Sequence, residues 1–152
     1  MSYHMRVRAG AIIIEDNKIL LTEYDNPIRG KVYDFPAGGT EPNETISEAV
    51  MREALEEACI EVKVGSLAFV YEYAPHLNQN KFGDTHTLTL LFDCERRKDT
   101  IPRLPDTFDA NQSGVKWVPL SELENIEMYA NIQDQLKDYI WTNRNIVLIE
   151  ER

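Results

Sequence analysis

Apolar and polar positions along this chain follow two periods, and the switches between them outline its elements. Val7 to Ile14 and Lys18 to Tyr24 carry the aliphatic, β-branched density of strands, and the polar Glu15, Asp16 and Asn17 between them predict a hairpin turn. A loop with Pro27, from Asn26 to Gly30, precedes a short extended stretch, Val32 to Phe35, that delivers the chain to Gly38 and Gly39. From Thr45 to Ala58 the period becomes helical, with Met51, Ala54, Leu55 and Ala58 on the arc expected to press against a sheet. Glu61 to Val64 and Leu67 to Tyr73 read as extended, and Ala74 to Asp84, with Pro75, Asn78, Asn80 and Gly83, as a loop. Thr85 to Asp93 alternates, which predicts a strand with His86, Leu88, Leu90 and Phe92 on its apolar face and Thr85, Thr87 and Thr89 on the other. On that face His86 is expected to be a hydrogen-bonded core residue.

Arg96 to Gly114 is a long polar connection with Pro102 and Pro105, of the length that in compact domains is often functional. Val115 to Val118 predicts a short strand, and Ser121 followed by Glu124 a capping box for a brief helix. Ile132, Leu136, Tyr139 and Ile140 form the stripe of an amphipathic helix, and Ile146 to Ile149 a final strand. Strands mixed with two substantial helices predict an α/β sandwich, and 152 residues predict a single domain over 1–152.

Charge narrows the function. A formal net charge of −10 disfavours nucleic-acid polymers, whose phosphates require a basic surface, but not a small phosphorylated ligand neutralised by bound cations. Arg6, Arg8, Arg29 and Lys31 are the local basic candidates before the predicted helix. The apolar run Ala9 to Ile14 is interrupted by Glu15 and Asp16, which supports neither a signal peptide nor a membrane span and leaves a cytoplasmic protein as the expectation. Cys59 and Cys94 are too few and too irregularly placed for a disulfide scaffold or zinc site, and each is expected to be a small buried apolar residue.

The densest chemistry lies between Gly38 and Ile60, GGTEPNETISEAVMREALEEACI. The spacing of Gly38, Glu44, Arg52, Glu53, Glu56 and Glu57 should arise by chance about 10⁻⁷ times per starting point. At about 100° per residue, Glu53, Glu56 and Glu57 share one helical face and their carboxylates can meet one ion. Three like charges in a turn are locally unfavourable, and oxygen-only ligands favour a hard divalent cation, Mg²⁺ with Mn²⁺ as a substitute. Gly38 removes the side chain where backbone must approach the metal or a phosphate oxygen. Glu44, at the predicted helix start, complements the helix dipole and takes a supporting role.

These residues resemble the signature of the Nudix hydrolase superfamily, including its lead-in, here Phe35, Pro36 and Ala37, and the loop residue Glu41. The similarity is strong over residues 38 to 60 and extends loosely through Arg8 to Leu21 and Val115 to Leu123. Asn43 and Cys59 stand where the family usually has Gly. The resemblance implies a MutT-like α/β/α sandwich with a mixed sheet and a loop-helix-loop catalytic motif. It further implies Mg²⁺-dependent cleavage of a diphosphate in a nucleotide-type substrate, with Glu53 as metal ligand or general base, Arg52 orienting carboxylates, and frequent dimerisation. In some members the base is a downstream acid, for which Glu95, Asp106 and Asp109 are the candidates here. Pro75, fifteen residues past Ile60, resembles members acting on ADP-ribose, while the lead-in resembles those that cleave oxidised nucleoside triphosphates. No Cys precedes the box, unlike the isopentenyl diphosphate isomerase relatives. Arg8, Tyr73 and Phe82 are candidate substrate contacts, with Tyr24, Tyr33 and Tyr71 as further aromatics able to stack.

Two rival readings remain open on sequence. A non-catalytic Nudix-fold module could sense a nucleotide, if Cys59 at positive φ strained the helix end; the expectation is instead that the turn is rebuilt with little effect. A structural acidic domain binding a basic partner predicts no metal affinity at the Glu cluster.

Overall fold

The computed structural model describes residues 4–141 and 147–151. Strand β1 (Arg6–Ile12) is followed by β2 (Ile14–Glu15) and β3 (Lys18–Asn26), and β2 and β3 form the expected hairpin with Ile14 opposite Ile19. Asp16 and Asn17 turn the corner at φ 50° and 60°, the left-handed region that Asp and Asn tolerate best among residues with a side chain. The expected pairing does not extend to β1. Successive residues of β1 bury opposite ways, Ala9 and Ala11 into one core and Ile12 into the other, and the chain leaves one sheet and joins a second around Ile13.

The remaining elements are β4 (Gly30–Asp34), β5 (Ala37–Gly39), α1 (Ile46–Ala58), β6 (Val62–Tyr73), β7 (Thr87–Arg96), β8 (Gln112–Pro119), β9 (Glu127–Met128), α2 (Gln133–Trp141) and β10 (Val147–Glu150). One mixed sheet runs β10-β6-β7-β1-β5, with β1 parallel to β7 and antiparallel to β5. The second runs β2-β3-β4-β9, with β8 antiparallel to β3. Ala49, Val50, Ala54 and Ala58 of α1 pack with Ala9, Ala11 and Ile13, while Leu136 and Tyr139 of α2 pack with Ile12, Phe69 and Leu91. Helices therefore flank the strands on both sides, the mixed-sheet α/β sandwich that the pattern predicts. Of the final strand, Ile146 lies outside the described residues.

Five local expectations change. Met51 and Leu55 are 42% and 54% exposed, because the anchoring arc of α1 is centred on Ala49, Val50, Ala54 and Ala58, whose small side chains let the helix lie close to β1. On β7 the buried positions are Thr89 and Leu91, so the threonine face turns inward, while Leu88, Leu90 and Phe92 are partly exposed. His86 precedes the strand, and its Nε2 lies 2.7 Å from Glu72 Oε2. Leu120–Asn125 is a 3₁₀ helix that begins after Pro119 without a side-chain cap, so the capping box at Ser121 and Glu124 does not form. Both cysteines are half-buried rather than buried, and burial pushes the Cys94 thiol up to about 12.

Helix α1 begins at a different capping box, in which Thr45 accepts from the Glu48 N–H at 3.1 Å and Glu48 accepts from the Thr45 N–H at 3.0 Å. It ends on Cys59 at φ 60° and ψ 31°, with the Cys59 N–H still bonded to the helix carbonyls. The turn is thus not rebuilt; Cys59 takes the left-handed conformation itself, as Asn43 does at φ 63° in the preceding loop. Since a non-Gly residue is strained there, Cys59→Gly should stabilise the fold by about 1 kcal/mol, a rise of about 2–4 °C in Tm by thermal denaturation.

The hairpin tip is tied to the end of β7 by paired hydrogen bonds from Arg96 Nε and Nη2 to Glu15, both 2.8 Å. Arg96 holds the Glu15 carboxyl below its ordinary 4.5. A carboxyl depressed on folding contributes stability above its unfolded pKa and loses it as pH falls through the folded one. Glu15→Gln should therefore lower Tm at pH 7, and the gap from the wild type should close on acidification below pH 4.5.

Candidate active site

Register places the acidic helix beside β5. The chain enters α1 directly from β5, which is paired with β1 through Ala9 and Gly38, and Gly38 faces Glu53. A Cβ added to Gly38 would collide with the Glu53 carboxylate, which would have to turn away, so glycine keeps that carboxylate in its place.

Arg52 organises the rim. Its Nε and Nη2 donate to the two Glu44 carboxylate oxygens at 2.6 and 3.0 Å, and Nη2 also donates to the Gly39 carbonyl at 2.9 Å. Nη1 donates to Glu53 at 2.8 Å and to Glu56 at 3.2 Å. Glu44 lies just before the Thr45 cap rather than in the helix, and Arg52 holds its carboxyl below the usual range.

The helical spacing separates the three acids by depth. Glu53 and Glu57, one turn apart, are 8% and 6% exposed, whereas the Glu56 side chain is 58% exposed at the rim. Glu57 Oε1 accepts from the Ala37 N–H at 2.7 Å and Oε2 from the Tyr24 hydroxyl at 3.0 Å. Glu53 and Glu56 turn to Arg52, so the three carboxylates do not meet at a single point as the helical wheel implies. Among the described residues no three acidic, His or Cys side chains form a ready-made ligand set. Burial raises the Glu53 carboxyl, and burial, reinforced by nearby Asp34 and Glu53, pushes Glu57 up to about 8. One guanidinium shared among Glu44, Glu53 and Glu56, with no ion pair to Glu57 among the described residues, leaves these buried acids in oxygen-rich surroundings suited to a hard divalent cation, and the side-chain-free surface of Gly38 leaves it an approach.

This wall opens onto a cleft of about 980 Å³ lined by Arg6, Arg8, Gly38, Leu55, Phe108 and Asp109 among others. Of the three downstream acids, Asp109 alone borders the cleft. Asp106 is 97% exposed beside Arg103, and Glu95 is exposed opposite Lys63 on the β6–β7 ladder.

A second cavity of about 510 Å³ shares Arg6 and Arg8 with the cleft. Tyr73, Phe82 and Tyr129 line it, with Phe82 meeting Tyr129 edge-on at 5.1 Å and Tyr73 at 6.1 Å. Asp34 lies in the same wall, 3.8 Å from Arg8, and burial raises its carboxyl. Thr89, 3% exposed, presents a hydroxyl to this wall with no hydrogen-bond partner. Arg8, Tyr73 and Phe82 are thus brought together, while Tyr33 bonds Glu23 instead.

Sequence reasoning missed Asp34, Thr89 and Gln112. The Gln112 amide donates to the Glu57 carbonyl at 3.0 Å, and the β3–β8 register sets Gln112 opposite Tyr24, so two strands grip Glu57 together. The inward threonine face of β7 was the available signal for Thr89; Asp34 and Gln112 carried none.

The chain is similar to known proteins over most of its length. The model of the NUDIX domain family matches residues 4–139. The ADP-ribose pyrophosphatase of Methanocaldococcus jannaschii is 45% identical over 69 residues, which cover 45% of this chain and 40% of that relative's length. A NUDIX hydrolase from Nitrosomonas europaea superposes with a TM-score of 0.74 at 25% identity over 93% of this chain and 92% of its own. The MutT protein from Methanosarcina mazei Go1, at 20% identity, TM-score 0.68 and coverage of 92% and 96%, shares the fold.

Proposed function

Because this chain belongs to the NUDIX family, we propose that it is a divalent-metal-dependent pyrophosphohydrolase that cleaves the diphosphate of a nucleoside diphosphate linked to another moiety, or of a nucleoside triphosphate. The observation that carries the reading is the pair of buried acids, Glu53 and Glu57, at the wall of a cleft that Arg6 and Arg8 also line. A purely structural acidic face would leave its carboxylates in water, where they cost least.

Glu53, Glu56 and Glu57 would hold Mg²⁺ or Mn²⁺ beside the Gly38 backbone. When bound, the ion would offset charge on the phosphate oxygens and make the attacking water easier to deprotonate. The chain's own groups do the rest. Arg6 and Arg8 hold the diphosphate across the junction of the two cavities, and in-line positioning is the larger part of catalysis in phosphoryl transfer. Glu53 is assigned the proton of the attacking water at its carboxylate, since burial raises its basicity; Asp109 is the alternative acceptor across the cleft. Arg52 keeps Glu53 and Glu44 in place, and Tyr24 with the Ala37 N–H fixes the rotamer of Glu57. The aromatic second cavity, with its unpartnered Thr89 hydroxyl, receives the nucleoside half.

The name of the Methanocaldococcus relative makes ADP-ribose the first substrate to try. The test is a Mg²⁺-supplemented panel of ADP-ribose, dinucleotide polyphosphates, nucleotide sugars and normal and oxidised nucleoside triphosphates, read by nucleoside monophosphate release. Chelation should abolish release. Ligand binding with no turnover across the panel would favour a nucleotide-sensing module instead.

A further inference from the structure

The carboxylate of Glu151 has no part in the chemistry above, yet its hydrogen bonds reach residues in or next to the lining of the second cavity. Glu151 is 7% exposed, and its N–H donates to the Glu72 carbonyl at 2.9 Å, continuing the β10–β6 ladder by one residue. Its Oε1 accepts from the Tyr71 hydroxyl at 2.9 Å and from the Asn131 N–H at 3.1 Å. Its carbonyl accepts from the Asn78 side-chain amide at 3.0 Å. Each partner leads to the cavity: Tyr71 lines it, Asn131 follows the lining residues Tyr129 and Ala130, and Asn78 belongs to the loop that supplies Phe82.

A buried carboxylate is costly unless its hydrogen bonds are met, and here one oxygen joins β6 to the 129–131 segment. An apolar side chain would fill the space but would leave the Asn131 N–H without that acceptor and the Tyr71 hydroxyl with only the longer 3.5 Å contact to the Tyr129 carbonyl, which loosens the aromatic wall. We propose that Glu151 is a positioning residue for the substrate's organic half: it fixes Tyr71 and the turn carrying Tyr129, and so sets the shape of the second cavity without touching substrate. The inference rests on the reading of that cavity as the nucleoside site.

The experiment compares Glu151→Ala, Glu151→Gln and Tyr71→Phe with the wild type. It measures kcat and KM on ADP-ribose with Mg²⁺ and the affinity of AMP, GMP, CMP and UMP by calorimetry, with folding checked by circular dichroism. Glu151→Ala should raise KM about tenfold and weaken the preferred monophosphate in parallel, with kcat within about twofold. Glu151→Gln keeps an oxygen acceptor for both donors and should stay within about twofold of the wild type. If Glu151→Ala does not fold, Tyr71→Phe, which deletes one donor, should raise KM about threefold.

A folded Glu151→Ala with unchanged KM and monophosphate affinity overturns the proposal, as does a fall in kcat alone. So does an unchanged Tyr71→Phe where the alanine variant fails to fold. A wild type that hydrolyses nothing in the panel, yet loses monophosphate affinity on Glu151→Ala, would end the hydrolase reading and keep this one. A wild type without affinity for any monophosphate would overturn this one.

Discussion

Replacing Glu57 with glutamine should reduce kcat about 10³-fold while leaving Tm within about 3 °C of the wild type. The side chain keeps its volume, so the packing around it is undisturbed. An Oε1 acceptor remains for the Ala37 N–H, and the amide can still meet the Tyr24 hydroxyl oxygen. What disappears is the negative charge. Glu57 is 6% exposed and burial pushes its carboxyl up to about 8, so its charge is unfavourable in isolation and is favoured only when a cation sits beside it. If that charge serves to hold a divalent ion, the glutamine variant loses both turnover and metal affinity, which calorimetric titration with Mn²⁺ would read directly. Turnover within about threefold of the wild type would end the catalytic assignment of this helix face.

Arg52→Ala should be among the most destabilising single substitutions, by about 2–4 kcal/mol, or a fall of about 5–15 °C in Tm. One guanidinium serves Glu44, Glu53, Glu56 and the Gly39 carbonyl, and its removal leaves the 8% exposed Glu53 without its cation. The loss is counted from Glu53 and from the ties between β5, the 41–45 loop and α1; exposed Glu56 contributes little. The prediction is checked by thermal denaturation with and without Mg²⁺. Added metal should recover part of the difference, since an ion that binds the folded state raises its stability by mass action. A variant as stable as the wild type would show that Arg52 decorates the surface.

The architecture was legible where local pattern and tertiary burial agree. The helix from Thr45 to Ala58, the stripe through Ile132, Leu136 and Tyr139 and the fold class all rest on period, and the structure keeps them. The misread faces of α1 and β7 share one cause. Met51 and Leu55 are as apolar as Val50, and Leu90 as apolar as Leu91, so composition does not say which neighbour points at a sheet. That choice is made by close packing, where alanines admit a short helix–strand approach. The hairpin was right at its tip and wrong along β1 because a strand buried on both faces carries no mark of the sheet it joins.

For the site, residues 38–60 could be read in advance because their geometry is local: one helix and the strand before it. Glu44, Arg52 and Glu53 come together across eight or nine positions. Of the second cavity, Arg8, Tyr73 and Phe82 were named in advance, whereas Asp34, Thr89 and Tyr129 were not, since they are joined only by sheet register and by the turn after β9. Nor does any periodicity distinguish the three downstream acids; the path of the 97–111 loop alone brings Asp109 to the cleft and leaves Asp106 in water.

Glu57 is gripped by Tyr24 from 33 residues upstream and through its carbonyl by Gln112 from 55 residues downstream. A peptide excised around the acidic helix, or the same two dozen residues transplanted into a foreign scaffold, would carry every letter of the signature and lack both clamps. Its acids would swing in water, titrate like free glutamates and hold cations only feebly.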